Sequence, residues 1–145
     1  MINPSDICSY TSANGKKYSY CFVPYHHYAY PTDDKSVWTI RRDEEFGLFT
    51  TSFDLLSGAS STFNVLIDNH EVQPVGKGKA GTSEIKLFLC YFINKNDSEN
   101  IEWHGYPVNH MDQNRERPSS DFYNVGPGSK LCPRDLKRLK RGKPL

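Results

Sequence analysis

The sequence predicts an α+β fold: a mostly antiparallel sheet of about five or six strands with a short C-terminal helix. Three observations predict it. Several short runs alternate aromatic or branched residues with polar ones. One run, Glu84–Lys95, is apolar on both faces. Clear helix punctuation is confined to Pro133–Gly142.

The first strand is read at Lys16–Val23, where Tyr18, Tyr20 and Phe22 share one face and Ser19, Cys21 and Val23 the other. Asn14–Gly15 before it is a turn signal. Pro24–Pro31, "PYHHYAYP", is bracketed by prolines and reads as a loop or irregular edge. Ser36–Arg42 reads as a second strand.

The segment "DEEFGLFTTSFDLLSG" fits two patterns. Phe46, Phe49, Phe53 and Leu56 fall near helical spacing, with Asp43, Glu44 and Glu45 at the front and Gly58 beyond the end. Gly47, Thr50 and Thr51 are poor helix formers, and Phe49, Thr51, Phe53 and Leu55 also alternate. The first half is therefore assigned to a strand.

Ser61–Asp68 alternates and ends at an Asn69–His70 turn, and Gly76–Ser83 reads as a flexible connection. In Glu84–Lys95, Ile85, Leu87, Leu89, Tyr91 and Ile93 share one face, and Phe88, Cys90 and Phe92 the other. A strand apolar on both faces belongs at the centre of its sheet. "NDSEN" turns the chain into Ile101–Val108, the expected antiparallel partner. From Asn109 the sequence becomes polar and rich in Gly and Pro. In Pro133–Gly142, Pro133 suits a first turn, Leu136 and Leu139 face inward and Gly142 ends the helix.

At 145 residues the chain is read as one domain, 1–145, with 109–145 a polar, basic extension. The composition is 37% hydrophobic and 24% charged, that of a globular protein, and no apolar run reaches the ~20 residues of a membrane helix. The N-terminus lacks a secretory pattern, so a cytoplasmic location and free thiols at Cys8, Cys21, Cys90 and Cys132 are expected. The net charge of +1 hides an asymmetry. Residues 1–100 carry 9 Lys and Arg against 12 acids, whereas residues 101–145 carry 9 against 5.

Three motifs fail on inspection. Gly76 and Gly81 have phosphate-loop spacing, but Thr82 stands where the lysine is needed. "HEVQP" at His70–Pro74 has a proline in place of the second zinc-binding histidine. Cys8, Cys21, His26 and His27 lack a tight cysteine knuckle, so neither a metal nor another cofactor is expected.

What remains is histidine, tyrosine and arginine. Metal-free RNA cleavage needs a base for the 2′-hydroxyl, an acid for the leaving oxygen and cations for the phosphate. Imidazole serves both proton transfers because its pKa lies near working pH. The candidates are His104 with His26 or His27, and Arg41 or Arg42 at the phosphate. Tyr25 and Tyr28 could stack bases, while Arg115, Arg117, Lys137, Arg138, Lys140 and Arg141 would hold the backbone.

The expected function is therefore nucleic-acid binding, with RNA or another polyanion as partner and RNA cleavage by histidine acid–base chemistry. The "HG" strand end, the polar loop with a proline and the basic helix resemble small ribonuclease toxins over part of residues 101–145. The helical N-terminal half of those toxins has no counterpart in this chain. The alternative is a non-catalytic protein–protein interaction module, such as an inhibitor, immunity or mobile-element accessory protein. Surface Tyr, Trp and Arg would serve that equally well.

Overall fold

The computed structural model describes residues 6–11, 15, 17–55, 61–94 and 102–145. The fold is mixed α+β. Its strands are β1 (Ile7–Thr11), β2 (Lys17–Cys21), β3 (Val37–Trp38), β4 (Ser61–Asp68), β5 (Glu71–Gln73), β6 (Gly76–Ala80), β7 (Ser83–Leu87), β8 (Leu89–Asn94) and β9 (Glu102–Val108). The helices are α1 (Arg42–Leu55), α2 (Ser120–Asn124) and α3 (Pro133–Arg141), with 3₁₀ turns at Pro24–His27 and Pro127–Lys130.

Six strands form the main sheet in the order β1-β2-β9-β8-β4-β5, and β3-β6-β7 form a smaller one. The main sheet is mixed, because β2 runs parallel to β9 with Cys21 opposite His104. Its other pairings are antiparallel, including β8 with β9, where Phe92 faces Gly105 and Ile93 faces His104.

β8 is interior, as its two apolar faces require. Cys90 and Phe92 join Tyr20, Trp38, Phe49 and Trp103 in one core, while Leu89 and Tyr91 join Phe63, Val65, Phe122 and Leu139 in another. Side chains alternate across a strand, so α1 covers one face of the sheet and α2 with α3 the other. Each large side chain so buried contributes roughly 1.5–3 kcal/mol. Residues 109–145 contribute Phe122, Leu131 and Leu139 to the second core.

Four local assignments are corrected. The segment from Arg42 is helical, not a strand. Glu44 Oε1 accepts the Arg41 backbone N–H at 3.1 Å, one half of a capping box. The hydroxyls of Thr50 and Thr51 both donate to the Gly47 carbonyl, which accommodates residues that otherwise disfavour a helix. The strand expected over Ser36–Arg42 shrinks to Val37–Trp38, because the helix claims its end.

Gly76–Ser83 is not a flexible connection; it forms β6 and a two-residue turn at Gly81–Thr82 into β7. Glu84–Lys95 is not one strand either, since the chain changes sheets at Phe88. The Asn69–His70 turn is present, with φ of 53° and 67°, the left-handed pair that a tight hairpin demands. α3 has Pro133 in its first turn and Gly142 at φ 65° as its left-handed cap. Asn14, Leu56, Gly58 and the "NDSEN" turn lie outside the described residues.

Candidate functional site

The site begins with β9. Its residues alternate, so Trp103 and Gly105 turn to the first core while His104 and Tyr106 share the opposite face. The smaller sheet and the loop before it dock on this strand. Ser36 Oγ donates to the Pro107 carbonyl at 2.6 Å, and Trp38 Nε1 donates to the Gly105 carbonyl at 3.2 Å. Between them a cleft of about 280 Å³ remains, lined by Tyr25, His26, His104, Tyr106, Lys35 and Arg115 among others.

His26 enters this cleft from the 3₁₀ turn. Its ring stacks on Tyr106 at 5.0 Å and 17°, and Tyr25 packs 4.5 Å away at a tilt. His104 lies 6.5 Å from the same Tyr106 ring. Both imidazoles are buried. Nδ1 of His26 is 2.7 Å from the Ser36 carbonyl, which can only accept, so Nδ1 carries the hydrogen. Burial lowers the His26 pKa to about 4, against the opposing pull of the Ser36 hydrogen bond. At neutral pH the ring is therefore uncharged, with Nε2 as a bare acceptor.

Tyr106 donates its hydroxyl to Glu116 Oε1 at 3.1 Å, and burial, then Glu116, raises the phenol pKa. The cleft is not the electropositive hollow that RNA cleavage would favour. Asp33, Asp34 and Asp112 balance Lys35, Lys79 and Arg115, with Lys79 3.9 Å from Asp33 and Arg115 3.5 Å from Asp112.

His27 turns the other way, and its Nε2 lies 3.0 Å from Glu45 Oε1. Glu45 is fully buried in the first turn of α1 and accepts the Tyr20 hydroxyl at 2.5 Å. Arg41 is exposed and paired with Asp43, while Arg42 pairs with Asp6 at 2.9 Å and lies over Phe22. Neither arginine lines the cleft. His110, a further imidazole, is buried with Nε2 2.7 Å from the Lys143 carbonyl, which ties down the chain after α3.

The remaining candidates divide between surfaces. Tyr28 is exposed beside the cleft loop. Arg117 and Lys140 line a second, smaller cleft. Lys137 and Arg141 project from the exposed face of α3, and Arg138 is half-buried on it. The structure thus brings His26, His104, Tyr25 and Arg115 together and leaves His27, Arg41, Arg42 and the α3 cations elsewhere.

Sequence reasoning missed Tyr106 and Lys35 in the cleft, and Glu45 and Tyr20 beneath His27. Tyr106 was legible in principle, since it stands two residues from His104 on one strand. Glu45 was not, because a carboxylate at a helix start is ordinarily solvated. Among the described residues no three His, Cys, Asp or Glu side chains converge as a metal site, and no helix is long and apolar enough to cross a membrane. The chain matches no family model, no curated protein and no solved structure with which it was compared.

Proposed function

We propose that this protein binds single-stranded RNA, seats one nucleotide in the larger cleft and cleaves the strand there by imidazole acid–base chemistry. The observation that supports it is the meeting of His26 and His104, 78 positions apart in sequence, around Tyr106 in one cleft. In this reading a base stacks among Tyr25 and Tyr106, contacts worth roughly 1–3 kcal/mol each. The charge-balanced interior suits an uncharged base, and the phosphates keep to the rim at Arg115.

His26 Nε2 takes the proton of the 2′-hydroxyl, and that oxygen forms a bond to phosphorus. The bond from phosphorus to the 5′-oxygen breaks, and His104 protonates the departing oxygen. A base of pKa about 4 is weak, but at neutral pH it is almost entirely in its active form.

The test is a labelled single-stranded RNA at low salt, with wild type, His26→Asn and His104→Asn. Wild type is expected to retain and cut it. Each variant is expected to retain it while cleavage falls about 100-fold or more. Cleavage that persists in both variants, or no retention by wild type, overturns the reading.

A second reading, a protein-interaction module, is favoured by Tyr28 and Tyr30, which are 59% and 72% exposed. Under it, exchanging both for Ser abolishes capture of one stoichiometric protein partner and RNA is never retained.

A further inference from the structure

The second cleft, about 100 Å³, opens between Glu116–Pro118, α2 and α3, with Arg117, Tyr123 and Lys140 around it and His110 and Leu139 in its wall. Its cations are unlike those of the larger cleft. Arg115 and Lys79 there have carboxylate partners, as do Arg41, Arg42 and Lys77 elsewhere. Among the described residues, neither Arg117 nor Lys140 has one. The Lys140 ammonium lies over the Tyr123 ring, 5.0 Å from its centre, which keeps it at the cleft without neutralising it.

The carboxylate present, Glu116, accepts the Tyr106 hydroxyl. Burial lowers the His110 pKa, against the pull of its bond to the Lys143 carbonyl. Two cations without an ion-pair partner among the described residues, set against the one carboxylate of Glu116, therefore face a space of roughly three waters' volume, the size of one tetrahedral oxyanion.

The two clefts adjoin. Tyr106 lines the larger and bonds to Glu116, which lines the smaller. Arg115 and Arg117 stand on either side of Glu116, within about 7 Å of each other along the backbone. We propose that the smaller cleft is a subsite for one phosphate group of the RNA strand whose nucleotide occupies the larger cleft, an inference that rests on the reading above. Arg117 forks the phosphate oxygens and Lys140 supplies a point charge.

The test compares wild type with Arg117→Gln/Lys140→Gln, both positions being exposed. Binding of an RNA of roughly ten nucleotides is followed across a salt series. The double variant is expected to bind about tenfold more weakly at low salt, with the slope of log K against log salt shallower by about 0.7. Inorganic phosphate at matched ionic strength is expected to raise the melting temperature of wild type but not of the variant. An unchanged salt slope overturns the subsite, as does a phosphate effect that survives in the variant. If the phosphate effect is lost but the slope is not, the cleft takes free phosphate and the assignment to RNA fails. Wild type that never binds RNA sinks the underlying reading, whereas wild type that binds with a slope indifferent to Arg117 and Lys140 sinks the subsite alone.

Discussion

His27 Nε2 and Glu45 Oε1 meet 3.0 Å apart, and this contact fastens the 3₁₀ turn that carries His26 to the first turn of α1. The other oxygen of Glu45 holds the Tyr20 hydroxyl from β2. One buried carboxylate thus joins three segments distant in sequence. Desolvation of a carboxylate is expensive, and here the Tyr20 hydrogen bond on one oxygen and the close approach of His27 to the other offset it. Adjacent His26 and His27 face opposite sides, and the anchored ring sets where the cleft ring can stand.

Removing that carboxylate is expected to be costly. Glu45→Ala leaves a half-buried imidazole and a buried phenol without their partner, and a loss of about 3 kcal/mol is expected in urea unfolding. Glu45→Gln keeps the shape and tests the charge. Burial raises the Glu45 pKa, with His27 and Tyr20 pulling the other way. A carboxyl whose folded pKa is raised contributes stability in full below its unfolded value, about 4.3, and loses it as pH rises through the folded value. The stability margin of wild type over Glu45→Gln is therefore expected to shrink as pH rises above the unfolded carboxyl value of about 4.3. A margin that grows with pH contradicts this account.

His26 has the opposite sign. Its folded pKa, about 4, lies below the ordinary value of 6.5, chiefly through burial. The unfolded chain then binds the proton first, so this contribution is full above pH 6.5 and drains away as pH falls toward 4. The loss is at most about 3 kcal/mol. His26→Asn is expected to lack this acid sensitivity, measured as the melting temperature over the same range. If His26 is the base for cleavage, kcat/KM for RNA also falls on the acid side only near pH 4. An activity limb centred near 6.5 instead removes His26 from that role.

Gly105 offers a packing test that is independent of charge. A Cβ there would overlap the Phe92 ring and lie 2.9 Å from the Tyr20 hydroxyl oxygen. Neither neighbour can retreat, since both are fully buried in the first core. Gly105→Ala is expected to cost about 3 kcal/mol, read as a drop in denaturation midpoint. A near-neutral result would mean that β8 and β9 stand farther apart than described.

The fold was legible where one rule governed a segment. β8 showed both apolar faces because both are covered, and α3 displayed its proline start and glycine stop. α1 was obscured because its buried stripe includes Glu45 and Ser52. Those polar residues are met by hydrogen bonds from Tyr20 and with Thr62 and by the close approach of His27, partners that only the tertiary structure supplies. The break at Phe88 was invisible for a related reason, since a strand that changes sheets keeps its alternation. In the site, period-2 reasoning reaches from His104 to Tyr106 but not to His26 or Arg115, which arrive through loops. The charge balance of the cleft was equally hidden, because Asp33, Asp34 and Asp112 come from two loops far apart in the chain.

The α3 cations separate electrostatic capture of a strand from recognition in the cleft. Leu139 buries one face of the helix in the second core, so Lys137, Lys140 and Arg141 are left to solvent, with Arg138 half-buried beside them. None of the four lines the larger cleft. Exchanging all four for Gln preserves helix propensity and removes their charge, together with the contact of Lys140 on Tyr123. If they hold the backbone, the salt slope for RNA is expected to flatten by up to about 3, with little change in the rate of cleavage once RNA is saturating. Tyr106→Leu should do the reverse, leaving the slope intact while cleavage collapses, because it strips the ring that packs His26 beside His104. A slope unmoved by the fourfold change would mean that the basic helix meets a protein rather than a phosphate chain, since backbone neutralisation cannot be lost without releasing fewer counterions.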